Sequence, residues 1–377
     1  MRFVVTGGGT GGHIYPALAI ARGLKDRFGA EINYIGGTRG LESEIVLKEG
    51  LPFRAIPLAG LKRGLSPSNL LVGWKAAAGI IKAFRYLREI RPDAVIGTGG
   101  YVCGPVVLAA ALMGIPTLIH EQNALPGITN RILCRFVGCV AVTFEESKRF
   151  FAPGGVVKTT GLPVRKEIMM KSRDRSREKL GFPPDGLLVL SFGGSQGARS
   201  INTAMLPVLE NFSGRPGIYF LHVTGPANYD QFMASVQKGM KIPENGNITI
   251  ASYMYDMPTA LAAADLAICR AGAATLAELT AVGLPSILVP YPYAAENHQE
   301  YNARALEAKG AAVVIRDNDL SGDLLLSEIE KLAANRETLR GMSSASRALG
   351  RPAAMDDILD CVRDLLDNKR KKNGILK

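Results

Sequence analysis

Two stretches of this chain share one design. Residues 2–20, RFVVTGGGTGGHIYPALAI, and residues 187–206, LLVLSFGGSQGARSINTAML, each run from a short apolar segment through a glycine loop into an apolar pattern of helical spacing. In the first, Ile14, Ala17, Leu18, Ala21 and Leu24 fall on one helical face; in the second, Ile201, Met205 and Leu209 do. A glycine loop between strand and helix leaves backbone N–H groups open at the helix start, where they and the helix dipole attract phosphate. Two such openings, 185 residues apart by their first positions (187 − 2), imply two similar domains in a chain of 377 residues.

The rest of the chain fits that plan. After the first opening come INYIGG (strand), LESEIVLKEG (helix), FRAIPL (strand), a long helical region to Ile90, then the strands DAVIGTGG, PTLIHEQN and CVAVTF. Near GLPVRKE the pattern restarts. A charged, Pro- and Gly-containing stretch, RDRSREKLGFPPDG, leads into the second opening, followed by IYFLHVTG, ITIASY, LAICRAG, SILVPYP and AAVVIRD. Strands alternating with helices imply an α/β fold: two Rossmann-like, doubly wound parallel-sheet domains facing a cleft. The boundaries expected are 1–163 and 164–351, with a C-terminal helix at about 352–370 packing back on the first domain. In such sheets ligands sit at the carboxyl ends of the strands.

Gly7, Gly9 and Gly12 fit G-x-G-x-x-G, which raises a dehydrogenase reading. A dinucleotide site wants an acid at the tip of the second strand to hold the ribose. Thr38 and Arg39 stand there instead, which keeps an NADP-dependent reductase open. His13 follows the loop at the helix start, where a neutral imidazole can accept a proton. HEQN at 120–123 is not H-E-x-x-H, because residue 124 is Ala, so a zinc protease motif is excluded. The five cysteines (103, 134, 139, 269 and 361) form no C-x-x-C and point to free thiols in a reducing compartment. The strand pattern begins at once, so no leader is expected, and no apolar run reaches transmembrane length. The net charge of +11 suits nucleic acid, an anionic membrane or a phosphorylated substrate. No recognition helix or aromatic-rich strand motif supports nucleic acid. The basic tail DNKRKKNGILK reads as a solvated, frayed terminus.

The ordered set GGTGGHIYP, GTGGYVCGP, HEQN, GLPVR, GGSQGA, CRAGAATLAE and HQEYNA resembles the MurG family of peptidoglycan glycosyltransferases, from residue 7 to residue 303. The resemblance implies a glycosyltransferase B architecture. It also implies an inverting, metal-independent transfer of N-acetylglucosamine from UDP-GlcNAc to the 4-hydroxyl of lipid I, the undecaprenyl-pyrophosphoryl-MurNAc-pentapeptide, giving lipid II. No cofactor and no metal are implied. For the donor site it implies Thr10, Gly11, Gly12, Asn123, Arg165, Ser195, Met254 (uracil, through backbone), Ala273, Ala274, Thr275, Leu276, Ala277, Glu278 (ribose) and Gln299 (sugar). In HQEYNA, His298 competes with Gln299 for the sugar contact, because some members carry Gln-Gln there. Gly99, Gly100, Tyr101, His120 and Glu121 fall on the acceptor side, with His13 as the candidate base.

A lipid-borne acceptor implies a peripheral protein on the cytoplasmic face of the cell membrane, with other cell-wall and division proteins as partners. Residues 61–90 combine Leu70, Leu71, Val72, Trp74, Ile80 and Ile81 with Lys62, Arg63, Lys75, Lys82 and Arg85, an apolar patch with a basic rim suited to an anionic leaflet.

Overall fold

A computed structural model of the chain describes residues 1–38, 40–57, 68–151, 155–239, 246–372 and 374. Arg39, Lys62 and Arg63 lie outside the described residues, as do the side chains of Leu70, Leu71, Val72, Trp74 and Lys75. The chain divides into two units, Met1–Pro163 with Ala353–Lys377, and Val164–Pro352.

The first unit runs β1 (Arg2–Thr6), α1 (Gly11–Phe28), β2 (Glu31–Gly37), α2 (Leu41–Lys48), β3 (Phe53–Ile56), α3 (Ser68–Ile90), β4 (Ala94–Gly97), α4 (Cys103–Leu112), β5 (Thr117–Glu121), α5 (Ile128–Leu133), β6 (Cys139–Val142) and β7 (Val157–Thr159). The second runs α6 (Lys166–Met169), α7 (Arg173–Leu180), β8 (Leu187–Phe192), α8 (Arg199–Phe212), β9 (Ile218–Val223), α9 (Tyr229–Gly239), β10 (Ile248–Ala251), α10 (Met257–Ala263), β11 (Leu266–Cys269), α11 (Ala273–Val282), β12 (Ser286–Leu288), α12 (His298–Glu307), β13 (Ala312–Val314), α13 (Gly322–Ala334) and α14 (Arg336–Leu349). The final helix, α15 (Ala354–Lys372), returns to the first unit.

Among the described residues every strand pairing is parallel. The first sheet has the order β3-β2-β1-β4-β5-β6-β7 and the second β10-β9-β8-β11-β12-β13. Strands such as β4 (AVIG) and β6 (CVAV) are buried at every position, as a parallel sheet covered on both faces demands. The apolar face expected for α1 is the face it buries. In both sheets the strand order reverses beside the first strand, between β1 and β4 and between β8 and β11. The loops at the carboxyl ends of those four strands are where a doubly wound sheet opens a crevice. They carry Gly7–Gly12, Thr98–Gly100, Gly193–Gly197 and Arg270–Gly272.

Two segments differ from their sequence reading. The charged stretch before β8 contains α7, whose buried side chain is not apolar but Arg177, 1% exposed. Its guanidinium donates to the carbonyls of Ala263, Pro183, Pro184 and Gly186 and pairs with Asp265. A helix anchored by one arginine shows no apolar period. The basic tail is helical through Lys372 rather than frayed from its start. Asp356 and Asp357 stand at the positive end of α15 and Lys369–Lys372 at the negative end, as the helix dipole favours. Ile358, Leu359, Val362 and Leu366 bury against the α1 core, and Lys158 meets Asp364 at 2.9 Å.

Candidate active site

In the first unit the loops after β1 and β4 interlock. Gly100 has φ +79°, and a Cβ there would lie 2.1 Å from the Gly8 carbonyl oxygen, so only glycine permits this approach. The Thr98 hydroxyl donates to the His13 carbonyl at 2.8 Å, and the Tyr34 hydroxyl to the Gly7 carbonyl at 2.5 Å. Beneath the loop lies Glu42, fully buried, accepting from Gly37 N at 3.1 Å and Gly9 N at 3.5 Å. An acid therefore does stand near the tip of β2, four residues past Thr38, in the first turn of α2. It braces the glycine loop and has no exposed surface to offer a ribose. Burial and the nearby Glu42 push the Tyr101 phenol up.

His13 occupies the first turn of α1 and is half-buried. Its Nδ1 lies 3.0 Å from the Thr98 carbonyl oxygen and 3.1 Å from Gln122 Oε1. Both partners accept, so Nδ1 carries the proton and Nε2 the lone pair. At the end of β5, His120 and Glu121 are fully buried. The His120 Nε2 donates to the Gly161 carbonyl at 2.8 Å, and its Nδ1 accepts from Gln122 Nε2 at 3.1 Å. Burial holds the His120 imidazole neutral, with its pKa down to about 4. Burial raises the Glu121 carboxyl, opposed by hydrogen bonds from Asn123 N (3.0 Å), Asn130 Nδ2 (2.8 Å) and Gly127 N (3.1 Å). Glu121 thereby seats Asn123. His120 and Glu121 act through the side chains they hold, since neither has surface to offer a ligand. Thr10 and Gly12 are exposed, Gly11 and Gly100 half-buried, and Gly99 buried, all on these two loops.

Gln122, which the sequence reading named within HEQN without a role, and Glu42, which it did not name, are among the polar side chains that hold this unit's loops. The signal for Gln122 was its place in HEQN, directly after the end of β5.

In the second unit Ser195 is exposed in the turn after β8. The helices that follow β8 and β11, like α1, begin without a side-chain cap: Ala198, Gly272 and Thr10 make no such bond. By contrast α10, α13 and α14 are capped by Asp256, Ser321 and Asn335. Open N–H groups at strand ends suit an anion. Ala274 is exposed in the first turn of α11, Ala273, Thr275 and Ala277 are half-buried, and Leu276 is buried, so only its backbone is within reach of a ligand. One turn further, Glu278 is gripped by Arg165, whose Nε and Nη2 reach its two oxygens at 2.7 and 2.9 Å.

Arg270 gathers the strand ends, donating to Val289 O (3.1 Å), Pro290 O (3.2 Å), Asp317 (2.5 Å) and Ser200 Oγ (2.8 Å) beneath the Tyr291 ring. Gln299 Oε1 accepts from Tyr291 N at 3.0 Å, which leaves its amide NH₂ as the donor end, while His298 Nδ1 donates to Ala295 O at 2.8 Å. Met254 is half-buried between the exposed Tyr253 and Tyr255, whose rings meet edge-on at 4.8 Å. Among the described residues no three His, Cys, Asp or Glu side chains gather as metal ligands, and all five cysteines are buried and unbridged. No described helix is long and apolar enough to cross a membrane.

Comparison with known proteins places this geometry. Residues 3–142 match the glycosyltransferase family 28 N-terminal domain and residues 188–358 its C-terminal domain. A UDP-N-acetylglucosamine–N-acetylmuramyl-(pentapeptide) pyrophosphoryl-undecaprenol N-acetylglucosamine transferase of Desulforudis audaxviator is 54% identical, over 97% of this chain and 98% of its own. The protein of the same name from Desulforamulus reducens is 52% identical, over 98% of this chain and 100% of its own. The crystal structure of Acinetobacter baumannii MurG superposes with a TM-score of 0.81 at 31% identity, covering 96% of this chain and 99% of that one.

Proposed function

This chain belongs to glycosyltransferase family 28, and from that premise we propose that it moves N-acetylglucosamine from UDP-GlcNAc to the 4-hydroxyl of the MurNAc of undecaprenyl-pyrophosphoryl-MurNAc-pentapeptide. The observation that carries the chemistry is His13, whose Nδ1 proton is committed to Thr98 O and Gln122 Oε1 and whose Nε2 lone pair is left for a substrate. In a single displacement, Nε2 takes the acceptor hydroxyl proton as that oxygen bonds the anomeric carbon. The bond from the anomeric carbon to the diphosphate oxygen breaks with its electron pair, and UDP departs. One displacement inverts an α-linked donor to a β-linked product.

The donor is held by the second unit. The N-termini of α8 and α11 face the charge that grows on the diphosphate, a role a preorganised dipole performs without reorganising. Ser195 and the Ala273–Ala277 turn lie along that anion, and Gln299 offers its amide NH₂ to the sugar. A carboxylate has about four lone-pair positions. Arg165 takes one on each oxygen of Glu278, which leaves a position on each for the ribose diol. Asn123, seated by Glu121, is the sugar contact proposed in the first unit, and Met254 offers its backbone to uracil.

We also propose that the protein sits peripherally on the cytoplasmic membrane face. Ile81 of α3, Leu112 of α4, and Ile128, Ile132 and Phe136 in and after α5 are exposed, and α3 packs on α4 and α4 on α5. Lys82, Arg85, Arg88 and Arg135 lie near them in sequence. Apolar side chains with a cationic rim suit an anionic bilayer, the phase in which an undecaprenyl acceptor resides.

The test is transfer of labelled N-acetylglucosamine from UDP-GlcNAc to a lipid I analogue, run with chelator present. Wild-type protein should form the β-linked product, and His13→Ala should lose at least about 100-fold in turnover with donor affinity kept. Transfer that persists in His13→Ala removes His13 as the base. No transfer by the wild type removes the activity itself.

A further inference from the structure

His13 is the half-buried last link of a chain, buried at its His120 end, whose two ends are backbone carbonyls. At one end Gly161 O receives the His120 Nε2–H, and at the other Thr98 O receives the His13 Nδ1–H. Between them stands Gln122, 2% exposed, with its Nε2 at 3.1 Å from His120 Nδ1 and its Oε1 at 3.1 Å from His13 Nδ1. We propose that Gln122 is a positioning residue for the transfer: by bridging His120 and His13 it fixes the His13 proton on Nδ1 and so keeps the Nε2 lone pair for the acceptor hydroxyl. The inference rests on His13 being the base.

The orientation of every member follows from the ends. A carbonyl only accepts, so His120 must present Nε2–H to Gly161. With its pKa lowered to about 4 by burial, His120 holds one ring proton at neutral pH, and its Nδ1 must therefore accept. Only the Gln122 NH₂ can serve that lone pair. The same NH₂ also reaches the His120 carbonyl at 3.1 Å, so its two protons have two partners. An amide flipped end for end would set its oxygen against the His120 lone pair and the His120 carbonyl, and its NH₂ against the His13 N–H. Oε1 is thus forced toward His13, where it accepts. No polar atom on this path is left over, and a buried, fully satisfied network holds its geometry more strongly than one exposed to water.

The arrangement also favours the reaction's product state. When Nε2 takes the proton, the imidazolium keeps its Nδ1–H between two carbonyl-type oxygens, whose partial charges offset the new positive charge. The side chain differs from a carboxylate partner in one respect: it orients the ring without supplying a full charge that would hold the proton against release.

Because the chain has four histidines, ¹⁵N-histidine spectra can be assigned by single replacements. In wild-type protein above neutral pH, His13 should show a pyrrole-type Nδ1 and a pyridine-type Nε2. In Gln122→Met the two His13 signals should move toward the averaged values of free imidazole. In the same variant kcat should fall about tenfold, less than a fully wrong tautomer costs because Thr98 O remains, with KM for UDP-GlcNAc within about twofold. Gln122→Glu keeps an acceptor oxygen for His13, so its His13 signals should stay pyrrole-type at Nδ1 although its second oxygen cannot donate to His120. A wild-type spectrum with the proton on Nε2 overturns the proposal, and it needs no variant to fold. So does a Gln122→Met protein with unchanged His13 signals and kcat within twofold. If His13→Ala keeps turnover while the spectrum is as expected, the base assignment has failed instead, and Gln122 positions no reacting group.

Discussion

Arg165 and Glu278 form a two-pronged ion pair, with Nε 2.7 Å from Oε1 and Nη2 2.9 Å from Oε2, tying the residue before α6 to the second turn of α11 across 113 residues of sequence. The pair holds the carboxylate in place before any donor arrives. Glu278→Ala should therefore weaken UDP-GlcNAc binding about 10- to 100-fold, the range expected for hydrogen bonds to a charged group at 1.4 kcal/mol per decade. Arg165→Lys should weaken it less, up to about tenfold, because an ammonium cannot reproduce the fork. Calorimetric titration with UDP-GlcNAc measures both. Equal affinity in all three proteins would remove the ribose role.

That pairing marks what the sequence carried and what it did not. Glycine loops are written in consecutive residues, so both switch-point openings and both parallel sheets are legible in the linear order of the chain. The contacts that make the loops work are not. Gln122 lies 109 residues from His13, and Glu42 lies 33 residues from Gly9. They meet only because β1 sits between β2 and β4, and β4 beside β5. Helix α7 is hidden for another reason: its buried group is the Arg177 guanidinium, and hydrophobic periodicity registers only apolar side chains. The resemblance points to Arg165 and Glu278 separately, and nothing in one chain of letters says that they hold each other.

Acid should destabilise the protein well above the carboxylate range. Burial lowers the pKa of His120 to about 4 and of His222 to about 3, so both stay neutral in the fold while the unfolded chain protonates near pH ~6.5. The sign follows: below that value the unfolded state binds more protons, and stability falls with falling pH until the folded-state values are reached. Each histidine contributes a slope of up to about 1.4 kcal/mol per pH unit between those limits. His222 packs against Phe232 with its ring tilted by 46° and shares one hydrogen bond with Ser191, and it is not among the proposed site residues. His222→Gln should flatten the slope by about that much between pH 6 and pH 4 in urea-unfolding midpoints. A variant with the wild-type slope would show that His222 does not stay neutral.

Replacing Gly100 separates steric from conformational cost. At Gly29, φ is +57° and a Cβ would meet nothing within 4 Å, so Gly29→Ala should cost about 1–2 kcal/mol from backbone preference alone. At Gly100, φ is +79° and the Cβ would strike the Gly8 carbonyl, so the loops after β1 and β4 must separate. Gly100→Ala should cost at least about 3 kcal/mol. It should also lower turnover, since the same shift moves Thr98 O away from His13. Equal destabilisation of the two variants would mean that the loops give way without penalty.

The apolar face of α3, α4 and α5 yields the last expectation. Ile81 and Ile132 are 70% and 59% exposed, more than a side chain serving the core would be. If they enter a bilayer, Ile81→Glu with Ile132→Glu removes apolar burial and adds charge repelled by anionic lipid. The double variant should lose sedimentation with vesicles containing phosphatidylglycerol. It should retain wild-type affinity for UDP-GlcNAc, because neither isoleucine is among the proposed donor residues, most of which lie in the other unit. Raising salt should weaken wild-type binding without abolishing it: screening acts on the basic rim, and the apolar contacts persist. Binding indifferent to both substitutions would place the membrane contact elsewhere on the chain. Binding abolished by salt alone would leave the isoleucines without a part in it.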